Sequence, residues 1–294
     1  MSDQPVKRVV IYHADCPDGL GAAWGAWRLF GDQETKYFPC AHGDEFPVPD
    51  SALEGANVYF VDFSLKRDAL LTVARKCLTL TILDHHQTAE ADLRGISEEA
   101  QNIAVVFDMK RSGAVITWEH LHSTAVPIFL QYVQDRDLWR FLLPDSELIN
   151  DYIRVYVPSG PPDFDIVDRL AAWFEDSEHL RIVADRGRTL MMAKRCAIRR
   201  IVLTSARTTQ WEGHTVAHAN ATMYHSEVAH ELAKTPNPQP DFGIAYFRRG
   251  DQWVYSLRSI GDFDVSEVAK RFGGGGHHNA AGFESKDFLF NEES

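Results

Sequence analysis

Acidic and imidazole side chains recur in this chain where apolar runs stop. The run LTLTIL, residues 78–83, ends at Asp84, His85 and His86. VVIY, residues 9–12, gives way to His13, Asp15, Cys16 and Asp18. NVYFV stops at Asp62, and PIFLQYVQ runs into Asp135 and Asp137. Carboxylates and imidazoles are the donors that hold Mn2+, Mg2+ or Fe2+. Two such ions about 3.5–4 Å apart can clamp a phosphoryl group. His13, Asp15 and Asp18 can reach one point from a tight loop containing Pro17 and Gly19. One strand ending in polar residues is ordinary loop chemistry; four on one edge would make a site.

The elements that must bring them together read as follows. Val9 to Tyr12 is a strand, followed by a helix over LGAAWGAWRLF with Gly31 at its stop. NVYFVDFS is a second strand ending near Asp62. KRDALLTVARKC is an amphipathic helix, with Leu70, Val73, Ala74 and Cys77 on one face. LTLTILDHH is a third strand, and NIAVVFDMKRSGAVITWEHL reads as strand, loop and helix. PIFLQYVQDRDLWRF reads as a helix end or short strand. Alternation of this kind gives a parallel α/β sheet, whose ligands sit beyond the carboxyl ends of the strands.

From residue 141 to 208 the texture changes to a connecting loop and short helix, then a long helix over residues 178–206. The last third returns to α/β character. TVAHANA, FGIAYF and DQWVYSLRSIG read as strands, and SEVAHELAK as a helix. DFDVSEVAKRF is a helix with Asp264 as its cap, Glu267 reaching back, and Val265, Val268, Ala269 and Phe272 on one face. GGGGHHNAAGF follows; glycine N–H groups in succession can form an anion nest, although Gly273 also suits a helix C-cap. Trp24, Trp27 and Trp118 read as core, and His214, His218, His225 and His230 receive no metal role.

The 294 residues, 45% hydrophobic and 24% charged, suffice for one large or two ordinary domains with a real core. A net charge of −12 argues against a life on long duplex DNA and favours small or short anionic substrates. No apolar run approaches the roughly 18–20 residues of a membrane span. The first residues lack the pattern of a signal peptide, and Cys16, Cys40, Cys77 and Cys196 are scattered without a Cys-x-x-Cys. The expected location is the cytoplasm, with reduced thiols.

IYHADCPDGLGAAW, FVDFS, ILDHHQTA and DRDLWRF resemble, in order, the four motifs of the DHH phosphoesterase family. RSIGDFDVSEVAKRFGGGGHHNAAGF resembles the glycine-rich signature of the DHH-associated C-terminal domain. The ordered set, covering nearly the whole chain, is far more specific than the Asp-His-His triplet alone. The resemblance implies two divalent ions, usually Mn2+, with Mg2+, Fe2+ or Zn2+ as alternatives, and hydrolysis of phosphodiester or phosphoanhydride bonds. It implies metal ligands among His13, Asp15, Asp18, Asp62, His85, Asp135 and Asp137. Asp135 is favoured over Asp137 because its spacing to Trp139 and Phe141 resembles the family's pattern. Asp62, Asp84 and His86 are the implied catalytic set, Asp84 as a support for the adjacent imidazole and His86 facing metal or phosphate. Arg258, Gly274, Gly275, Gly276 and His277 are implied substrate contacts, and Arg111, at a helix start, is a further candidate. There is one departure. The first of the family's two motif-one aspartates falls on Cys16, so either Asp15 takes its role or one metal position is built differently.

The resulting expectation is an α/β chain: an N-terminal parallel-sheet, Rossmann-like DHH domain over residues 1–140, a helical linker over 141–208, and a smaller α/β substrate domain over 209–294. Its expected activity is divalent-metal-dependent hydrolysis of short oligonucleotides or linear dinucleotides to nucleoside monophosphates. The alternatives are an exopolyphosphatase or pyrophosphatase, and a catalytically degenerate nucleotide-binding protein. Expected partners are short single-stranded nucleic acid or a small phosphorylated substrate, and a second copy of the chain, with no membrane.

Overall fold

The computed structural model describes residues 6–41, 43–156, 162–235 and 238–290, and the chain divides into two units, Met1–Met191 and Met192–Ser294. The first unit contains, in chain order, β1 (Arg8–His13), α1 (Pro17–Phe30), β2 (Thr35–Cys40), α2 (Asp50–Leu53), β3 (Asn57–Val61), α3 (Arg67–Ala74), β4 (Thr79–Asp84), α4 (Gln87–Asp92), α5 (Ile96–Glu99) and β5 (Ile103–Phe107). Helices α6 (Gly113–Leu121), α7 (Ile128–Asp137), α8 (Ser146–Tyr156), α9 (Phe164–Phe174) and α10 (Ser177–Ser205) follow.

Among the described residues the strands form one sheet in the order β2-β1-β3-β4-β5, and every pairing is parallel. Alternation along β1 sends its side chains to two cores. Val10 and Tyr12 join α1, α6, α7, α8 and α9 on one face, while Val9 and Ile11 join Leu70, Val73 and Leu80 on the other. Both faces are covered, as a parallel sheet requires. Helix α1 packs closely because Ala22, Ala23 and Ala26 are fully buried, and it stops at Gly31, whose φ of 63° suits glycine.

The structure adds to the sequence reading at three places. Strand β2 was not anticipated: it carries Pro39 and exposed positions, as an edge strand tolerates. The segment read as a helix end or short strand is the ten-residue helix α7, which runs through Asp135 to Asp137. The stretch after residue 140 is not a linker at its start. Ile149, Tyr152 and Ile153 of α8 and Phe164, Val167, Leu170 and Phe174 of α9 fill the same core as α1. A Cβ on Gly187 of α10 would stand 1.9 Å from the Leu148 carbonyl oxygen, so α10 also packs tightly on α8. The division therefore falls at residue 191, inside α10, and residues 157–161 of the expected loop lie outside the described residues.

The second unit contains β6 (Arg207–Trp211), β7 (His214–Asn220), α11 (His225–Ala233), β8 (Phe242–Arg249), β9 (Gln252–Arg258), α12 (Val265–Arg271), β10 (Gly275–His277) and β11 (Ala280–Ser285). Its sheet runs β10-β11-β9-β8-β7-β6, antiparallel except for β7 beside β8, where α11 makes the crossover. Val228 and Leu232 of α11 pack with Ala217 and Ala245, and Val265 and Val268 of α12 pack with Ile244 and Leu257. Asp264 caps α12 by accepting from the Ser266 N–H at 2.9 Å, but Glu267 turns to Lys270 instead of closing a capping box. Among the described residues no helix is long and apolar enough to cross a membrane.

Candidate metal centre

Strands β1, β3 and β4 are in register, so their carboxyl ends deliver His13, Asp62 and Asp84 to one edge of the sheet. Asp62 leaves β3 with a φ of 54°, a left-handed conformation uncommon for a residue with a side chain. Such strain persists where the surroundings over-determine it. Here the Asp62 N–H bonds the Leu83 carbonyl at 2.9 Å, and α6 presses from the other side. A Cβ on Gly113 would lie 2.4 Å from the Asp62 Cβ, so only glycine fits at the start of α6. Asp18, in the first turn of α1, accepts from Gly113 N at 2.7 Å and Ala114 N at 3.2 Å. That carboxylate thereby satisfies two donors left over at the α6 N-terminus.

His85 is the hub. Its Nε2 stands 3.1 Å from Asp62 Oδ1, 3.5 Å from Asp137 Oδ2 and 3.7 Å from Asp18 Oδ2. Asp62 and His85 are each 1% exposed. His13 approaches the other oxygen of Asp62, with Nδ1 3.6 Å away, and its ring stacks on Phe63. Donor atoms fall into overlapping sets, each within 4.8 Å: Asp18, His85 and Asp137; His13, Cys16 and Asp62; and Asp62, Asp84, His85 and His86. Asp84 Oδ1 accepts from His86 Nδ1 at 2.7 Å and from the His85 backbone N–H at 2.7 Å, which holds the His86 ring and the backbone at His85.

The electrostatics express crowding of like charge. Burial and the neighbouring Asp62 and Asp137 charges push the Asp18 carboxyl well above its usual range, and burial likewise raises Asp137. Burial opposes a charge on His85, yet the Asp62 hydrogen bond and the Asp137, Asp62 and Asp18 charges push it up to about 11. Burial would raise Asp62, but the hydrogen-bonding and charged contacts of His13 and His85 hold it well below. The Oδ2 atoms of Asp62, Asp84 and Asp137 are buried and accept no hydrogen bond among the described residues. Three carboxylates around one imidazole nitrogen, with buried lone pairs left over, are a donor set suited to divalent cations. The residues present therefore fit a metal pair.

Several expected site residues stand elsewhere. Asp15 is exposed on a left-handed turn, and Cys16 is the motif-one residue that joins His13 and Asp62. Asp135 is buried, but its two carboxylate oxygens accept from the backbone N–H groups of Leu142 at 3.0 Å and Leu143 at 3.1 Å. It holds the turn after α7, and Asp137 is the residue that meets His85 and Asp18. Arg111 is engaged by Asp108 at 2.8 Å and by Glu119, so its charge is already spent on two carboxylates.

In the second unit, His277 and Arg258 are both in register with Ala280 of β11, so they share one row of the sheet with a small residue between them. The Arg258 guanidinium donates to the Leu257 carbonyl and the Ser226 hydroxyl, each at 2.8 Å. The glycine run has strong local causes. Gly273 has a φ of 80° after α12, a Cβ on Gly274 would meet the Gly282 oxygen at 2.1 Å, and Gly276 has a φ of 142°. Gly275 lies in β10 opposite Gly282 and is not among the residues with positive φ.

The sequence reading placed Gly19 in the tight loop of the first cluster but missed Gly113 as part of the site. A Cβ on Gly19 would meet the His13 carbonyl oxygen at 2.2 Å. The signal available for Gly113 was its place in the Arg111-Ser112-Gly113 stretch that opens a helix, where the backbone can pass close.

Residues 214–293 match the DHHA1 domain. Uncharacterized protein R106 of Acanthamoeba polyphaga mimivirus is 29% identical over 294 residues, covering 93% of this chain and 66% of the relative. Oligoribonuclease NrnB of Bacillus subtilis (strain 168) is 29% identical over 228 residues, covering 71% of this chain and 53% of the relative. The chain thus spans between about half and two thirds of the length of these curated relatives. Among solved structures, RecJ in complex with Mn2+ from Thermus thermophilus is similar, with a TM-score of 0.51 and 15% identity over 95% of this chain and 49% of that one, a likeness of fold. The two halves point the same way: residues 214–293 match the DHHA1 domain, and the strand ends of the first unit carry motifs similar to those of the DHH family.

Proposed function

We propose that this protein is a divalent-metal-dependent phosphodiesterase that cuts short oligonucleotides or linear dinucleotides to nucleoside monophosphates. The observation that carries the reading is the convergence of Asp18, Asp62 and Asp137 on His85 Nε2 in a buried pocket of the sheet edge. Likeness to an oligoribonuclease supports the substrate class.

His13, Cys16, Asp18, Asp62, His85 and Asp137 would hold the metal pair, with Mn2+ the leading ion. When bound, such a pair supplies Lewis-acid stabilisation of phosphoryl oxygens and a more acidic water. The remaining tasks fall to the chain. Burial resists the charge of Asp84, but the His86 charge and hydrogen bond keep it ionised, so His86 Nδ1 carries the proton between them. This pairing orients the His86 ring to hydrogen-bond the non-bridging phosphate oxygens as charge builds. The Gly113 and Ala114 N–H groups keep Asp18 in place. Arg258, Gly274, Gly275, Gly276 and His277 are the candidates for holding a substrate phosphate.

The test is incubation with Mn2+ and a ladder of RNA and DNA strands from dinucleotide upward. Nucleoside monophosphates from the shortest strands are expected. No monophosphate from any length, with phosphate released from tripolyphosphate, would replace the reading with a phosphoanhydride hydrolase.

A further inference from the structure

Cys16 occupies a position that the proposed metal pair does not explain if both ions are alike. Its sulfur belongs to the donor set with His13 and Asp62, all within 4.8 Å. The set of Asp18, His85 and Asp137 contains only oxygen and nitrogen donors. Asp15, the residue that could have restored an all-oxygen first position, is exposed on its left-handed turn. Cys16 is also the N-cap of the 14-residue α1, yet its side chain makes no capping hydrogen bond. Opposite it, the buried Asp62 Oδ2 accepts no hydrogen bond among the described residues.

We infer that Cys16 is a thiolate ligand in one of two chemically unlike metal positions, and that this position takes a softer divalent ion such as Zn2+ or Fe2+. The Asp18–His85–Asp137 position keeps the preference for Mn2+ or Mg2+ that oxygen donors give. The inference rests on the metal reading of the site and adds a division of labour within it. Asp62, which touches both sets, is the side chain that links the two positions.

The probe is Co2+, added to metal-free full-length protein and followed by absorption. A thiolate ligand gives a sulfur-to-cobalt charge-transfer band in the near ultraviolet, and wild type is expected to show it. The band should vanish in Cys16→Asp and in Cys16→Ser and persist in Cys196→Ser. In competition, Cys16→Asp should weaken Zn2+ binding at least about tenfold while Mn2+ binding is kept or improved. Co2+ bound without the band in wild type, or a band that survives both Cys16 variants, would overturn the inference. In that event continued cleavage of oligonucleotides would leave the proposed function standing. Failure of the wild type to bind Co2+ and Mn2+ at all would remove both.

Discussion

Asp62 and His85, separated by 23 positions in the chain, meet with Oδ1 and Nε2 3.1 Å apart at the ends of neighbouring parallel strands. The contact exists because β3 and β4 are in register and because Asp62 turns out of its strand in a left-handed conformation. Around that pair, two further carboxylates and a second histidine bring donor atoms close enough together that they could hold a cation.

Asp135 and Asp137 separate structure from function within one motif. Asp135→Ala leaves the Leu142 and Leu143 amides unsatisfied, at a cost of about 1–3 kcal/mol. A melting temperature several degrees lower is expected, while metal binding survives in the folded fraction. Asp137→Asn should melt near wild type and lose metal affinity. Thermal melts and metal titration of both variants check the exchange of roles.

Arg258→Ala should raise KM for oligonucleotides about tenfold or more, with kcat less affected, because charge-assisted contacts of this kind act mainly in binding. Steady-state kinetics on one dinucleotide reads this. An unchanged KM removes Arg258 from substrate contact.

The glycine run gives a graded series. Gly274→Ala and Gly276→Ala should each destabilise by more than about 1 kcal/mol, since one forces a Cβ onto the Gly282 oxygen and the other strains a positive φ. Gly275, opposite Gly282 in β10, has no positive φ to strain, and a Gly275→Ala variant whose melt matches wild type reports any loss of substrate affinity as the phosphate-holding role alone.

His218 supplies a pH dependence away from the metal centre. It is buried against Phe290, and neither ring nitrogen finds a hydrogen bond among the described residues. Burial, helped by the Arg207 charge, pushes it down to about 4. Between the unfolded value near 6.5 and this folded value the unfolded chain binds the extra proton. Stability is therefore greatest above pH 6.5 and falls as pH drops toward 4. Denaturant titrations across that range should show a steeper acid loss for wild type than for His218→Leu.

Much of this was legible in the residues. The apolar runs before Asp62 and Asp84 have the composition and length of buried parallel strands, so their polar ends had to lie on one edge. Side-chain commitments were not legible. Asp135 and Asp137 are chemically identical in sequence, and only the fold of the turn after α7 shows that the first is consumed by backbone amides. Arg111 resembled a free cation because its partners, Asp108 and Glu119, come together only when α6 forms. Strand β2 was hidden by Pro39 and its exposed edge, and α8 and α9 by a loop-like composition that conceals their buried faces. The glycine run resembled a nest, and the close approach of β11 separately accounts for Gly274 and Gly276.

The central claim is that this buried cluster holds divalent cations, and Mn2+ titration of metal-free protein by calorimetry tests it most directly. Two bound equivalents per chain are expected for wild type when Mn2+ alone is supplied. Asp62→Ala should stay folded, lose at least one equivalent, and lose turnover by about a hundredfold or more, as removal of a shared ligand would. Wild-type protein that binds no Mn2+, or Asp62→Ala that binds it as wild type does, would contradict the account.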